Sequence, residues 1–153
     1  MGPSRCTIEP ADLVAAGRPW ARIDYRTVDS ADVDGQADWV IDEPASISGL
    51  AVWFDTDLTD GVRLSAAPGA PTQVYRQLYL PLRAAIAVAP GNRLRVKLSV
   101  RLVVNDYVWA WRVLVADAEG EPERELVSQN SLAESVVDPA ELRRSAQLAQ
   151  RQV

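Results

Sequence analysis

Apolar and polar positions alternate along much of the chain with the period of two that a β-strand imposes, most clearly from Arg93 to Val104. Leu94, Val96, Leu98, Val100, Leu102 and Val104 take every second place, and Arg93, Arg95, Lys97, Ser99 and Arg101 fill the opposite face. A slip of one residue would bury those cations, so the inward and outward faces of this strand are firmly set. Asn105-Asp106 is expected to turn the chain into a partner strand, Tyr107 to Ala116, on which Tyr107, Trp109, Trp111, Val113 and Val115 share a face. Pro90-Gly91 marks the turn that leads in.

Upstream, GLAVWFDTDL (49–58) places Leu50, Val52, Phe54 and Leu58 on one face and Ala51 and Trp53 on the other, a two-sided apolar pattern that predicts a central strand. Asp60-Gly61 is a tight-turn pair, and Val62 and Leu64 alternating with Arg63 and Ser65 read as the second strand of a hairpin. Ala67 to Thr72 holds two prolines and a glycine, which breaks any ladder and delivers Tyr75, Arg76 and Gln77 into the strand RQLYLPL. Residues 21–28 alternate Ile23, Tyr25 and Thr27 against Arg22, Asp24 and Arg26 and predict a strand wet on one side. The polar run 29–36 should end it, with a short strand over 37–42. Residues 1–19 show no sustained period and read as irregular, with at most a helical turn over 11–16. Residues 124–129 form a weaker strand, and Asp138 as N-cap, Pro139 at the first helical position and Glu141 at the third predict a helix over 138–153.

The pattern is that of one mainly β domain over 1–153, an antiparallel barrel or sandwich of about eight strands with a C-terminal helix. Periodicity alone does not choose between barrel and sandwich.

Composition narrows the function. A length of 153 residues, 48% of them hydrophobic and five of them tryptophan, suits a globular domain with a real core. The net charge of -5 argues against a nucleic-acid partner. The single cysteine, Cys6, has no partner for an internal disulfide and, in a chain without histidine, no imidazole to activate it. No apolar run approaches the roughly 18 residues of a membrane-spanning helix, so a cytoplasmic protein without membrane contact is expected. The lack of histidine excludes a Ser-His-Asp triad and leaves only carboxylates as metal ligands. Asp55, Asp57 and Asp60 are the nearest candidates, and a solvated strand face is the simpler reading of them. No GxGxG or GxGxxG occurs, so the chain lacks the glycine turn that lets backbone approach a nucleotide-type cofactor.

Three surfaces remain as candidates. Trp109 and Trp111 have the spacing to stack a flat ligand, although Val113 and Val115 continue their face and make core packing the simpler reading. Arg93, Arg95, Lys97 and Arg101 form a cationic row suited to an acidic partner or a companion domain, with a solvated strand face the simpler reading. The loop from Pro68 to Tyr75 is unlike an ordinary hairpin turn and is the best place for function on a rigid scaffold.

The segments FDTDL, LSAAPGAPT and YRQLYLPL, in that order, resemble the C-terminal β-barrel domain of the protein arginine methyltransferase family, over roughly Ile23 to Val115. Ser65, Pro68, Pro71, Thr72, Tyr75 and Gln77 stand at places comparable to the family's S-(T/A)-x-P-x-x-P-T segment and the aromatic and glutamine that follow. Where the family writes Thr-His-Trp, this chain has Thr72-Gln73-Val74-Tyr75. The closing residues SQNSLAESVVDPAELRR are similar to the tail of bacterial proteins that join a methyltransferase domain to such a barrel. The resemblance favours the barrel over the sandwich. It implies substrate-binding roles for Thr72, Tyr75 and Gln77 and none in catalysis. It also implies a methyltransferase catalytic domain, in cis or in trans, that holds S-adenosylmethionine, so neither cofactor binding nor activity is expected of this chain alone. A dimer is conceivable, but the polar stretch from Thr27 to Ile47, with Pro44, does not look like the family's helical dimerisation arm. The alternatives are a free-standing ligand-binding barrel and a structural or dimerisation module.

Overall fold

The computed structural model describes residues 2–71, 75–118 and 122–132. Among the described residues nine strands follow one another: β1 (Ser4–Cys6), β2 (Val33–Val40), β3 (Ala45–Val52), β4 (Asp55–Thr59), β5 (Val62–Ser65), β6 (Gln77–Val88), β7 (Arg93–Val103), β8 (Asp106–Ala116) and β9 (Arg124–Asn130), with one 3-10 turn at Pro10–Asp12. They form three sheets, β1-β6-β3, β4-β5 and β2-β7-β8-β9, in which every pairing is antiparallel. The expected closed barrel of about eight strands is therefore corrected: a barrel needs an unbroken ring of ladders, and each of these sheets ends in two edge strands among the described residues. The helix expected over 138–153 lies outside the described residues.

The chain divides into two compact units, one of residues 1–16 and 43–89, the other of 17–42 and 90–153. In the first, β6 is the middle strand, and Leu80, Leu82, Ile86 and Val88 are buried along it together with Ile8 and Ile47 from the flanking segments. Pro81 has no N–H to give to a ladder, and it lies where the β3–β6 pairing is irregular, opposite Gly49. Gly49 lets the Tyr79 ring lie close over the backbone, where a Cβ would stand 2.3 Å from it and push the ring aside. The run 49–58 is not one central strand, as its two-sided apolar pattern suggested. It breaks at Trp53 and Phe54, and β3 is an edge. The break hands Phe54 to the next hairpin, where its carbonyl accepts from Ala66 N at 3.0 Å. That hairpin turns at Gly61, whose φ of 76° suits the residue.

In the second unit β7 and β8 are the inner strands and pair along their whole lengths. The alternation read from the sequence is realised over most of β7: Leu94, Val96, Leu98 and Val100 are buried and stand opposite Val115, Val113, Trp111 and Trp109, whereas Leu102, Val104 and Tyr107 at the turn end are exposed. The edge strand β2 begins inside the polar run that was expected to end a strand. Its alternation is simply more polar, with Asp34, Gln36 and Asp38 outward and Ala37 buried. Residues 21–28 do not form the predicted strand. Thr27 N and Val28 N both donate to Asp24 O, and Arg26 N donates to the Asp24 carboxylate, so the aspartate closes a turn that overrides the alternation. Tyr25 is left 81% exposed. Just upstream, Trp20 lies on Gly35, where a Cβ would meet the Trp20 carbonyl oxygen at 1.8 Å, and its ring packs edge-on against Trp109 at 6.1 Å.

Candidate functional site

The loop and strand start singled out by the sequence belong to the first unit. After β5 the chain turns through Gly69, at φ 78°, with Ala70 N donating to Ala67 O at 3.0 Å. Thr72 lies outside the described residues. Gln77 opens β6 and, although the resemblance implied a substrate-binding role for it, is only 7% accessible. Its Oε1 accepts from Ile8 N at 3.0 Å and its Nε2 donates to Ala66 O at 2.7 Å. One side chain thus ties the N-terminal segment and the end of β5 to the start of β6. Both partners belong to buried residues, where an unsatisfied backbone group is costly.

Tyr75 stands just before this clamp and is 57% exposed. Its ring meets that of Phe54, itself 40% exposed, edge to face, with centroids 5.2 Å apart and planes at 80°. Phe54 was missed as a site residue, because alternation placed it on the face of a continuous strand that the structure interrupts. Leu58 and Val62 of the adjoining hairpin are exposed as well. This corner offers exposed aromatic and aliphatic surface, which suits recognition. On β4, Asp57 faces Arg63 across the ladder and Asp55 faces Ser65. Among the described residues no three His, Cys, Asp or Glu side chains are grouped to hold a metal ion.

The cationic row of β7 lies in the second unit, and its members have separate fates. Arg95 forms ion pairs with Asp38 and, at 2.8 Å, with Glu123. The Asp38 hydrogen bond above all raises the Arg95 pKa, with the charges of Asp38 and Glu123 adding to it. The Nη2 of Arg101 donates to both carboxylate oxygens of Asp34, at 2.8 and 2.6 Å, and its Nε lies 3.8 Å from Asp32. Asp34 is held below the usual carboxylate range, first by the Arg101 hydrogen bond and then by one from Ser99. Asp32 also accepts from Leu102 N at 3.0 Å. Arg93 is exposed and, with Arg18, Trp39, Val40 and the Asp38–Arg95–Glu123 chain, lines an open cleft of about 330 Å³. Lys97 is exposed opposite Gln36 on one side and Arg112 on the other. A strand that looks uniformly basic in sequence is half neutralised by Asp34 and Asp38 of β2, and of these Asp34 falls in the polar run that was expected to lie outside any strand.

Trp111 is 2% exposed and belongs to the core, with its indole Nε1 buried and unpartnered. Trp109 is half-buried against Trp20, so the two indoles do not form a common open platform. Among the described residues no helix is long and apolar enough to cross a membrane. Comparison with protein-family models and with curated proteins finds no match to this chain.

Proposed function

We propose that this chain is the non-catalytic recognition part of an S-adenosylmethionine-dependent methyltransferase similar to the protein arginine methyltransferases, acting in the cytoplasm with a catalytic domain joined in cis or supplied in trans. The observation that carries this reading is the exposed Phe54–Tyr75 pair at the start of β6. It lies in the stretch whose residues resemble that family. The Gln77 clamp anchors its base, and Pro68 and Pro71 stiffen the approach to Tyr75, so that little conformational entropy is lost when a substrate or companion domain settles on it. Aromatic rings give such a surface large apolar contact area for few rotatable bonds. Cofactor binding and methyl transfer belong to the companion domain, which supplies the glycine turn that this sequence lacks.

The reading is tested by adding the purified chain to the catalytic domain encoded with it and following methyl transfer from S-adenosylmethionine. Turnover is expected to rise with added chain, while calorimetry of the chain alone with S-adenosylmethionine gives no binding heat. Micromolar binding by the isolated chain, or turnover indifferent to its presence, would overturn the proposal.

A further inference from the structure

The outer face of the four-stranded sheet carries its charges in rows that run across the strands. Asp38, Arg95, Leu114 and Glu125 stand opposite one another in one row, and Asp34, Ser99, Ala110 and Asn130 in another. Between them lies the row Gln36, Lys97, Arg112, Ser128, with all four residues exposed. Lys97 and Arg112 are thus like charges directly opposed on the two inner strands, an arrangement that costs stability. The carboxylates that might relieve it are engaged elsewhere: Asp34 holds Arg101, and Asp38 and Glu123 hold Arg95. Among the described residues Lys97 has no ion pair, and the ion contact of Arg112 is a long one, 3.9 Å to Glu125.

We propose that this row binds a single phosphoryl group, presented by a phosphorylated serine or threonine of a partner protein. The site is independent of the methyltransferase reading. Two adjacent, poorly compensated cations match the charge of about -1.5 to -2 that a phosphate monoester carries at neutral pH. The Arg112 guanidinium supplies a planar fork for two phosphate oxygens and Lys97 a compact charge for the third. The Gln36 amide, now in a 3.4 Å contact with Asp38, and the Ser128 hydroxyl stand as further donors at the two ends. The acidic rows on either side limit the ligand to one anionic group, because a nucleic-acid backbone laid over the face would run onto Asp34, Asp38 and Glu125. The face is open rather than concave, so a free small phosphate would bury little surface. Ala110 and Leu114 flank Arg112 along β8 and offer contact to apolar residues on either side of the phosphorylated one.

The test is an NMR titration of the full chain at low salt with three probes: an acetylated Ala-Leu-phosphoserine-Leu-Ala peptide, its unphosphorylated form, and phenyl phosphate. The phosphopeptide is expected to shift the amides of Gln36, Lys97, Arg112 and Ser128 and to bind about tenfold tighter than phenyl phosphate, with no response to the unphosphorylated peptide. Lys97→Glu replaces the like-charged pair by an ion pair, so it should abolish this binding while raising Tm by roughly 2 °C. Arg63→Gln, which removes a cation from β5, should change neither. Phosphopeptide affinity unaltered by Lys97→Glu, or shifts centred on other residues, would overturn the site. Phenyl phosphate binding as tightly as the phosphopeptide would overturn its assignment to a protein partner.

Discussion

At the scale of single residues, the chain distinguishes polar groups that hold structure from those that face outward, and Gln77 is the plainest instance. Truncation in Gln77→Ala leaves Ile8 N and Ala66 O without partners, and is expected to cost about 2 to 4 kcal/mol in urea denaturation. A loss under about 0.5 kcal/mol would mean that the backbone finds other partners. The sequence marked Gln77 as special but not why, since alternation records polarity and not whether a polar side chain will be buried. Val104 makes the opposite case. This β-branched residue sits at φ 59°, in the left-handed region that favours glycine. Val104→Gly should relieve strain and raise stability by about 1 kcal/mol, and a destabilised variant in the same assay would contradict it. Asp34 sets a pH dependence. Its carboxyl is held below the usual range in the folded chain, so its contribution is complete above the ordinary carboxylate pKa and is lost as pH falls through the lowered folded value. In acid titrations followed by circular dichroism, Asp34→Asn should therefore show a shallower loss of stability than the parent, and equal slopes would contradict the role given to the Arg101 pair.

Among the elements, the β7–β8 hairpin shows both what alternation reveals and where it stops. The inward residues were legible because an odd slip would have buried Arg93, Arg95, Lys97 and Arg101. The exact partners were not. Turning at Asn105-Asp106 would set Val104 opposite Tyr107, whereas the turn falls on Val104-Asn105 and sets Leu102 there. An even shift leaves every side chain on its own face, so the pattern cannot detect it and local turn geometry decides. The exchange of residues 21–28 for β2 has a similar origin. Asp24 gave the better alternating segment a turn, while the more polar segment gained β7 as its neighbour. Gly35 tests the packing of β2: Gly35→Ala drives a Cβ into the Trp20 backbone, which has no flexible side-chain end to yield. The variant should lose the Trp20–Trp109 near-ultraviolet circular dichroism signal and about 1 to 3 kcal/mol of stability, and an unchanged spectrum would show that Trp20 does not depend on the missing side chain.

For the molecule as a whole, short alternating segments between Gly and Pro turns made an antiparallel β protein readable. The number of sheets was not readable, because it depends on which strand edges meet across long sequence separations. β1, for example, pairs Arg5 with Leu78 and carries no periodic signal of its own in three residues. The candidate site was legible in the same partial way. Tyr75 stood out as the aromatic at a loop exit, but its partner Phe54 emerged only once the strand through it proved to be broken. The central claim is that this exposed pair serves recognition in methyl transfer and does little for folding. Its most direct test is Tyr75→Ala in the chain combined with the proposed catalytic domain, with kcat/KM for methyl transfer and Tm read on the same preparations. An exposed aromatic pair contributes at most about 1 kcal/mol to folding, so Tm should fall by no more than about 4 °C. Over the same substitution kcat/KM is expected to drop about tenfold or more. A large fall in Tm with kcat/KM unchanged would make Tyr75 a packing residue and contradict the claim.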